Sequence, residues 1–190
     1  MHHFFAYMSR MRYIRRWSLM RNTQAENIQE HSLQVAMIAH SLAILGNRRY
    51  GKHYDADRIA VLAMYHEASE VITGDLPTPV KYFSPQLRAS YGEVEKLAND
   101  RLLSMIPEDL RADYRPLIDQ AHDEDHRLVK AADRIAAYLK CLEEEESGNA
   151  EFRKAGSSIL RDIEALDLPE AKAFMEEFAP SFRLSLDEMQ

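Results

Sequence analysis

A chain of 190 residues with a formal net charge of −7 suits one folded domain and argues against a general binder of nucleic-acid polymers. At this length roughly 70% of the unfolded chain's surface is buried on folding, so a full core needs no covalent staples. The lone Cys141 excludes an internal disulfide, and no run of about 18 apolar residues offers a membrane span.

The N-terminus lacks an apolar run with a small-residue cleavage site, so the expected location is the cytoplasm. Residues 1–25 carry Arg10, Arg12, Arg15, Arg16 and Arg21, and the first carboxylate is Glu26. That stretch reads either as a solvated helix face or subunit contact, or as a positive rim that draws in a small anion.

Apolar spacing is helical nearly everywhere, and no alternating strand pattern is present. Phe4 to Ile14 predicts a short amphipathic helix. Asn27-Ile-Gln-Glu30 has the spacing of a capping box and opens a helix with the stripe His31, Val35, Ile38, Leu42 and Leu45. Asp55 caps the next helix, whose residues Ile59 to Tyr65 are all apolar, and that helix is expected to run to Thr73-Gly74. The two prolines of Asp75-Leu-Pro-Thr-Pro79 forbid a helix and stiffen a loop. Ser84-Pro85 starts a helix to about Ser104, and Pro107 and Pro116 bracket short helical pieces. Leu128, Ala132, Ile135, Leu139 and Leu142 form another stripe, and a final helix runs from near Pro169 to before Pro180. The expectation is an all-α single domain over 1–190.

Of eight histidines, His40, His53, His122 and His126 are isolated and read as structural or solvated, while His2 and His3 carry no predicted role. His66-Glu67-Ala-Ser-Glu70 differs. On a helix His66 and Glu70 stand one turn apart, on the face that continues Ile59, Leu62 and Ala63. An imidazole and two carboxylates there are costly unless they bind something, and they offer ligands suited to a divalent metal. A helix end with satisfied polar groups is the plain alternative. His31 heads its own apolar stripe. Asp133 interrupts an Ala/Leu-rich helix, where it otherwise serves only as a surface partner for Lys130.

The order of a histidine, a His-carboxylate pair and a distant Asp on three helices resembles the HD phosphohydrolases, whose helical bundle holds a metal with that set. The runs Arg16-Trp-Ser-Leu-Met-Arg-Asn22, Glu26 to Met37 and Met64 to Tyr82 narrow the likeness. With the Asp133 segment and Pro180 to Glu188, they resemble the bacterial HD-domain 5′-deoxynucleotidases of the YfbR type. The resemblance spans nearly the whole chain, and Gly-Asp-Leu-Pro-Thr-Pro is its most specific element.

It implies an HD-domain helical bundle, and hydrolysis of deoxyribonucleoside 5′-monophosphates to deoxynucleoside and phosphate by a cytoplasmic homodimer. His31, His66, Glu67 and Asp133 would ligate a divalent transition metal such as cobalt or manganese. Arg16 would hold the phosphate and Trp17 would pack near the sugar, although its residue type alone suits a core position. Asp75 would accept the 3′-hydroxyl proton, and Leu76, Pro77 and Thr78 would shape the pocket. His31, Glu67 and Asp133 would also border the substrate. Glu70, with Arg16, would serve the chemistry by positioning water or moving a proton. The family motif is His-Asp, and this chain has His66-Glu67, an arm longer by one methylene. The alternatives are an HD phosphohydrolase acting on a nucleoside triphosphate or ribonucleotide, and a nucleotide-binding protein impaired in catalysis.

Overall fold

The computed structural model describes residues 1–190 except Tyr82, Ala121 and His122, so the expectation for His122 lies outside the described residues. Ten α-helices are described: α1 Phe4–Met8, α2 Ile28–Arg49, α3 Ala56–Tyr65, α4 Glu70–Thr73, α5 Thr78–Lys81, α6 Pro85–Ser104, α7 Arg111–Ile118, α8 Glu124–Glu146, α9 Arg153–Glu164 and α10 Pro169–Glu177. Among the described residues there is no β-strand beyond one isolated bridge, Arg15 to Asn27. None of these helices is long and apolar enough to cross a membrane.

Helix starts follow side-chain chemistry. Asn27 Oδ1 accepts from the Gln29 and Glu30 amides at 3.0 Å, and Glu30 returns a bond to the Asn27 amide, completing the capping box. Asp55, Ser84 and Asp123 cap α3, α6 and α8 by accepting from the third residue beyond each.

Helices α2 and α8, each about 33–35 Å long, form the spine. They pack on each other, and α3, α9 and α10 close around them. The main core joins Val35, Ala39 and Leu42 of α2, Ile59 and Leu62 of α3, Ile135 and Leu139 of α8, and Phe174 of α10. A second core of Phe4, Ala68, Leu102, Leu103, Ile106 and Ile118 ties α1, α6 and α7 to the turn after α3. Ala63 therefore lies in one core and Ala68 in the other, and the segment between them is clamped from both sides.

Four expectations need correction. The N-terminal helix is α at Phe4–Met8 only, tightening to a 3₁₀ turn over Ser9–Tyr13. Helix α3 stops at Tyr65, and residues 66–69 form a turn rather than a continuing helix. Its amides bond three residues back, as in Ala68 to Tyr65 and Glu70 to Glu67. The prolines do not exclude helix, because α5 starts at Thr78 with Pro79 in its first turn, where no amide is needed. Pro116 lies inside α7 rather than at its border. Helix α9 escaped the sequence reading, although Phe152, Ile159 and Ile163 carry helical spacing.

Gly156 of α9 lets that helix approach α8, since a Cβ there would meet Cys141 Cβ at 3.2 Å. Cys141 packs as expected; burial, then Glu145, pushes its thiol up to about 12.

Candidate active site

Four expected ligands converge from three places in the fold. His31 comes from the first turns of α2, His66 and Glu67 from the clamped turn, and Asp133 from the middle of α8. One donor atom from each lies within 4.8 Å of every other. His31 Nε2 stands 3.0 Å from Asp133 Oδ1. His66 Nε2 lies 3.3 Å from Glu67 Oε1 and 3.9 Å from Asp133 Oδ1. Asp133 is thus no surface partner of Lys130.

The turn explains the arrangement. His66 Nδ1 donates to Ala63 O at 2.7 Å, which directs Nε2 into the cluster. That is the outer bond that fixes the tautomer of a ligating histidine. Buried His66 Nε2 has no hydrogen bond of its own, and neither does buried Glu70 Oε2. Three-residue spacing stacks side chains in a tightened turn, so Glu70 faces Glu67 rather than standing one α-helical turn from His66. The longer arm of Glu67 reaches the cluster from this turn.

Charge completes the description. Burial opposes the charged form of His66, but Glu67 and then Asp133 outweigh it and raise its pKa to about 9. Burial would raise Asp133, and the facing His31 and His66 instead hold it well below the usual carboxylate range. Glu67 is lowered in the same way, by His66 against burial. His31 is lowered by burial and by Arg16. Glu70 moves the other way: burial and the Glu67 anion push it up to about 10, which favours its neutral form. Asp75 is raised, mainly by burial. Burial disfavours the Arg16 charge, which Asp133, Glu26, Glu67 and Asp75 together sustain. Four carboxylates thus face the Arg16 guanidinium and the His66 imidazole, which leaves the site net negative. A phosphate could not join so negative a site without a further cation. The nitrogen and oxygen donors, the inward imidazole nitrogen and this excess of charge all fit a divalent transition metal.

Beside the cluster opens a cavity of about 520 Å³, in the range of small-molecule sites. Arg16 to Met20 line one part of it, Asp75, Pro77, Thr78 and Pro79 another, and Ala155, Ser158, Ile159 and Asp162 of α9 the rest. Leu76 is half-buried and does not line it. Of the five N-terminal arginines only Arg16 borders this cavity, which narrows the positive rim to one residue; Arg21 pairs with Glu151 at 2.7 Å.

Trp17 has φ +57°, a left-handed conformation that costs a non-glycine residue about 1–2 kcal/mol. Its ring rests on buried Phe152 at a centroid distance of 5.3 Å. Two groups of residues were missed in the sequence. One is the α9 wall, which carries no motif. The other is Glu26, which accepts bonds from Arg16 and Trp17 and whose signals were its place as the first carboxylate after a basic stretch and at the head of the run to Met37.

A profile described as 5′-deoxynucleotidase YfbR-like matches residues 3–182. The chain is 55% identical over 189 residues to a protein named 5′-deoxynucleotidase YfbR from Escherichia coli ATCC 8739, covering 98% of this chain and 95% of that one. Among solved structures, an HD-domain phosphohydrolase from Listeria innocua superposes with a TM-score of 0.83 at 24% identity, covering 98% of this chain and 90% of that one. The cyanophage S-2L HD phosphohydrolase DatZ, bound to dA and one catalytic Zn²⁺ ion, superposes with a TM-score of 0.64 at 20% identity, covering 94% and 95%. These two support the HD fold, and the profile and the 55% relative support more: this chain belongs to the YfbR-like 5′-deoxynucleotidase family.

Proposed function

We propose that this chain is a metal-dependent 5′-deoxynucleotidase, built as a single HD phosphohydrolase domain over 1–190, that converts deoxyribonucleoside 5′-monophosphates to deoxynucleosides and phosphate. The observation that carries the reading is a cluster of metal-ligand residues joined to a nucleoside-sized cavity by Arg16, which lines the cavity and reaches to 4.0 Å from Glu67. The relative's name states the same activity, and the neighbour that holds dA and Zn²⁺ supports a metal of this class.

His31, His66, Glu67 and Asp133 would hold the ion, and His31, Glu67 and Asp133 would also border the phosphate. A divalent ion there supplies Lewis acidity toward a phosphoryl oxygen and makes water more acidic. Arg16 binds the phosphate through its planar fork, a geometry lysine lacks. Trp17 packs against the deoxyribose, and Asp75 accepts the 3′-hydroxyl proton. Pro77 and Thr78 shape the wall, and Leu76 precedes them in the same segment. Glu70 manages the proton: its neutral carboxyl can protonate the departing 5′-oxygen, which would otherwise leave as an alkoxide.

The reading includes a homodimer, and the exposed Leu33, Met37 and Ile44 of α2 with Met64 of α3 give an apolar face suited to self-association. Cytoplasmic location belongs to the same reading.

The test is phosphate release from paired deoxy- and ribonucleoside 5′-monophosphates, and from triphosphates, across several divalent ions. A 2′-hydroxyl forced against Trp17 without a partner costs on the order of 1–3 kcal/mol, so deoxynucleotides should lead by about ten- to a hundredfold. Equal rates on AMP and dAMP would favour the ribonucleotide alternative. Nucleotide binding without turnover under any ion would favour the impaired one, to which Glu67 gives its only support.

A further inference from the structure

We propose that Glu26 is a positioning residue that sets the phosphate and sugar contacts together, one carboxylate oxygen fixing both Arg16 and Trp17. This deepens the reading above and rests on it for the roles of those two side chains. Glu26 Oε2 accepts from Arg16 Nε at 3.0 Å and from Trp17 Nε1 at 3.1 Å. The Glu26 side chain is 12% exposed and that of Arg16 13%.

Neighbouring side chains on an extended backbone point to opposite faces. The left-handed turn at Trp17 lets two consecutive side chains meet the same oxygen instead. Because Glu26 takes the Nε–H of Arg16, both Nη groups are left for a ligand, and Nη1 lies 4.0 Å from Glu67 Oε1 at the edge of the cluster. A paired phosphate contact needs two such N–H groups on one side of the fork. The indole is held by its N–H while it lines the cavity and leans on the Phe152 ring at 5.3 Å and a 60° tilt. The other oxygen, Oε1, comes within 4.0 Å of His31 Nδ1, on the side of the imidazole away from Asp133. Glu26 therefore stands behind both the clamp and a ligand while touching neither metal nor substrate in the proposed arrangement.

The backbone of Glu26 has a separate task. Its carbonyl accepts from the Arg16 amide at 3.0 Å, and the Ile28 amide donates to Ile14 O at 3.1 Å. Substituting the side chain leaves that pairing in place, so the side-chain role can be tested alone.

Trp17 is the sole tryptophan, so intrinsic fluorescence reports on this contact without any turnover. Compare wild type, Glu26→Ala and Glu26→Asp; the aspartate keeps the charge and loses the reach. Measure acrylamide quenching of Trp17 in unliganded protein, direct binding of inorganic phosphate and of deoxyadenosine, metal content, and kcat and KM. Both variants should show easier quenching and weaken both probes by about tenfold, with KM rising similarly, kcat within about threefold and metal content unchanged.

Unchanged quenching overturns the proposal. So does weakening of one probe alone, since a shared anchor must loosen both, and so does loss of metal, which would make Glu26 part of the ligand shell. If Glu26→Ala fails to fold, Glu26→Asp decides by the same readings. A wild type that binds both probes but hydrolyses nothing defeats the catalytic reading and leaves this one standing; one that binds neither defeats both.

Discussion

His31 Nε2 and Asp133 Oδ1 stand 3.0 Å apart, joining the start of α2 to the middle of α8 across 102 positions of sequence. The two longest helices of the bundle thus meet at a polar pair that would also ligate the ion. Occupancy of the site should therefore be felt as stability of the whole fold.

At a free ion concentration about a hundred times its dissociation constant, binding adds about 2.7 kcal/mol. For a chain of this size that raises Tm by about 5–10 °C. Scanning calorimetry of stripped protein titrated with cobalt, manganese or zinc checks this, alongside metal analysis. Asp133→Ala should bind no ion and show no rise. A Tm indifferent to metal in wild type would remove the ligand assignment.

Glu67 reaches the cluster from a turn with a longer arm than the aspartate of the family motif. Ordering the extra rotatable bond costs less than about 1 kcal/mol, too little to forbid binding, yet it changes where the oxygen sits. Wild type and Glu67→Asp should both be active and rank the divalent ions differently, because ligand placement governs which ion is favoured. Glu67→Ala should lose metal and activity together. Rates and metal content of the three proteins over one set of ions decide the matter, and revival of a dead wild type by Glu67→Asp would mean an impaired binding protein.

The helices were legible in the sequence wherever a cap met an apolar stripe, as at Asn27 and Ser84. The break at His66 was not. Residues 56–73 read as one continuous helix, and what interrupts it is tertiary: Ala63 and Ala68 belong to different cores, so the segment between them tightens to serve both. The convergence of His31, His66, Glu67 and Asp133 was legible through their order along the chain and the family likeness it carries. Their second neighbours were not, since the Ala63 carbonyl and the Glu26 carboxylate act through placement that no spacing encodes.

Glu70 is buried, faces Glu67, is pushed towards its neutral form by burial and by the Glu67 charge, and has one oxygen unpartnered. Removing a group that moves a proton costs about 10²–10⁴ in rate without touching ground-state contacts. Glu70→Ala should lose kcat in that range while metal content and binding of deoxyadenosine stay near wild type. If the variant loses the ion instead, Glu70 is a ligand and the division of roles above is wrong.

The loop that carries Arg16 and Trp17 is anchored at its far end by the last turns of α8. Glu144, 1% exposed, accepts from the Thr23 amide at 2.9 Å, from Thr23 Oγ1 at 2.8 Å, from the Gln24 amide at 3.2 Å and from Asn149 Nδ2 at 2.8 Å. It also takes a bond from Lys140 Nζ, which in turn donates to Gln24 O at 2.6 Å. Truncation leaves a buried ammonium without its counter-charge, so Glu144→Ala should destabilise the fold by about 3–5 kcal/mol. Burial alone would raise this carboxyl, but the Lys140 bond and then the Thr23 amide outweigh it and hold it near about 2, against an ordinary 4.5. A carboxyl depressed on folding stabilises above its unfolded value, and the contribution fades as pH falls from 4.5 towards about 2. Urea midpoints of wild type and Glu144→Gln should therefore be furthest apart near neutral pH and draw together through that acid window. A gap that stays constant across it would show that Glu144 acts by shape alone and that its charge does not hold the loop.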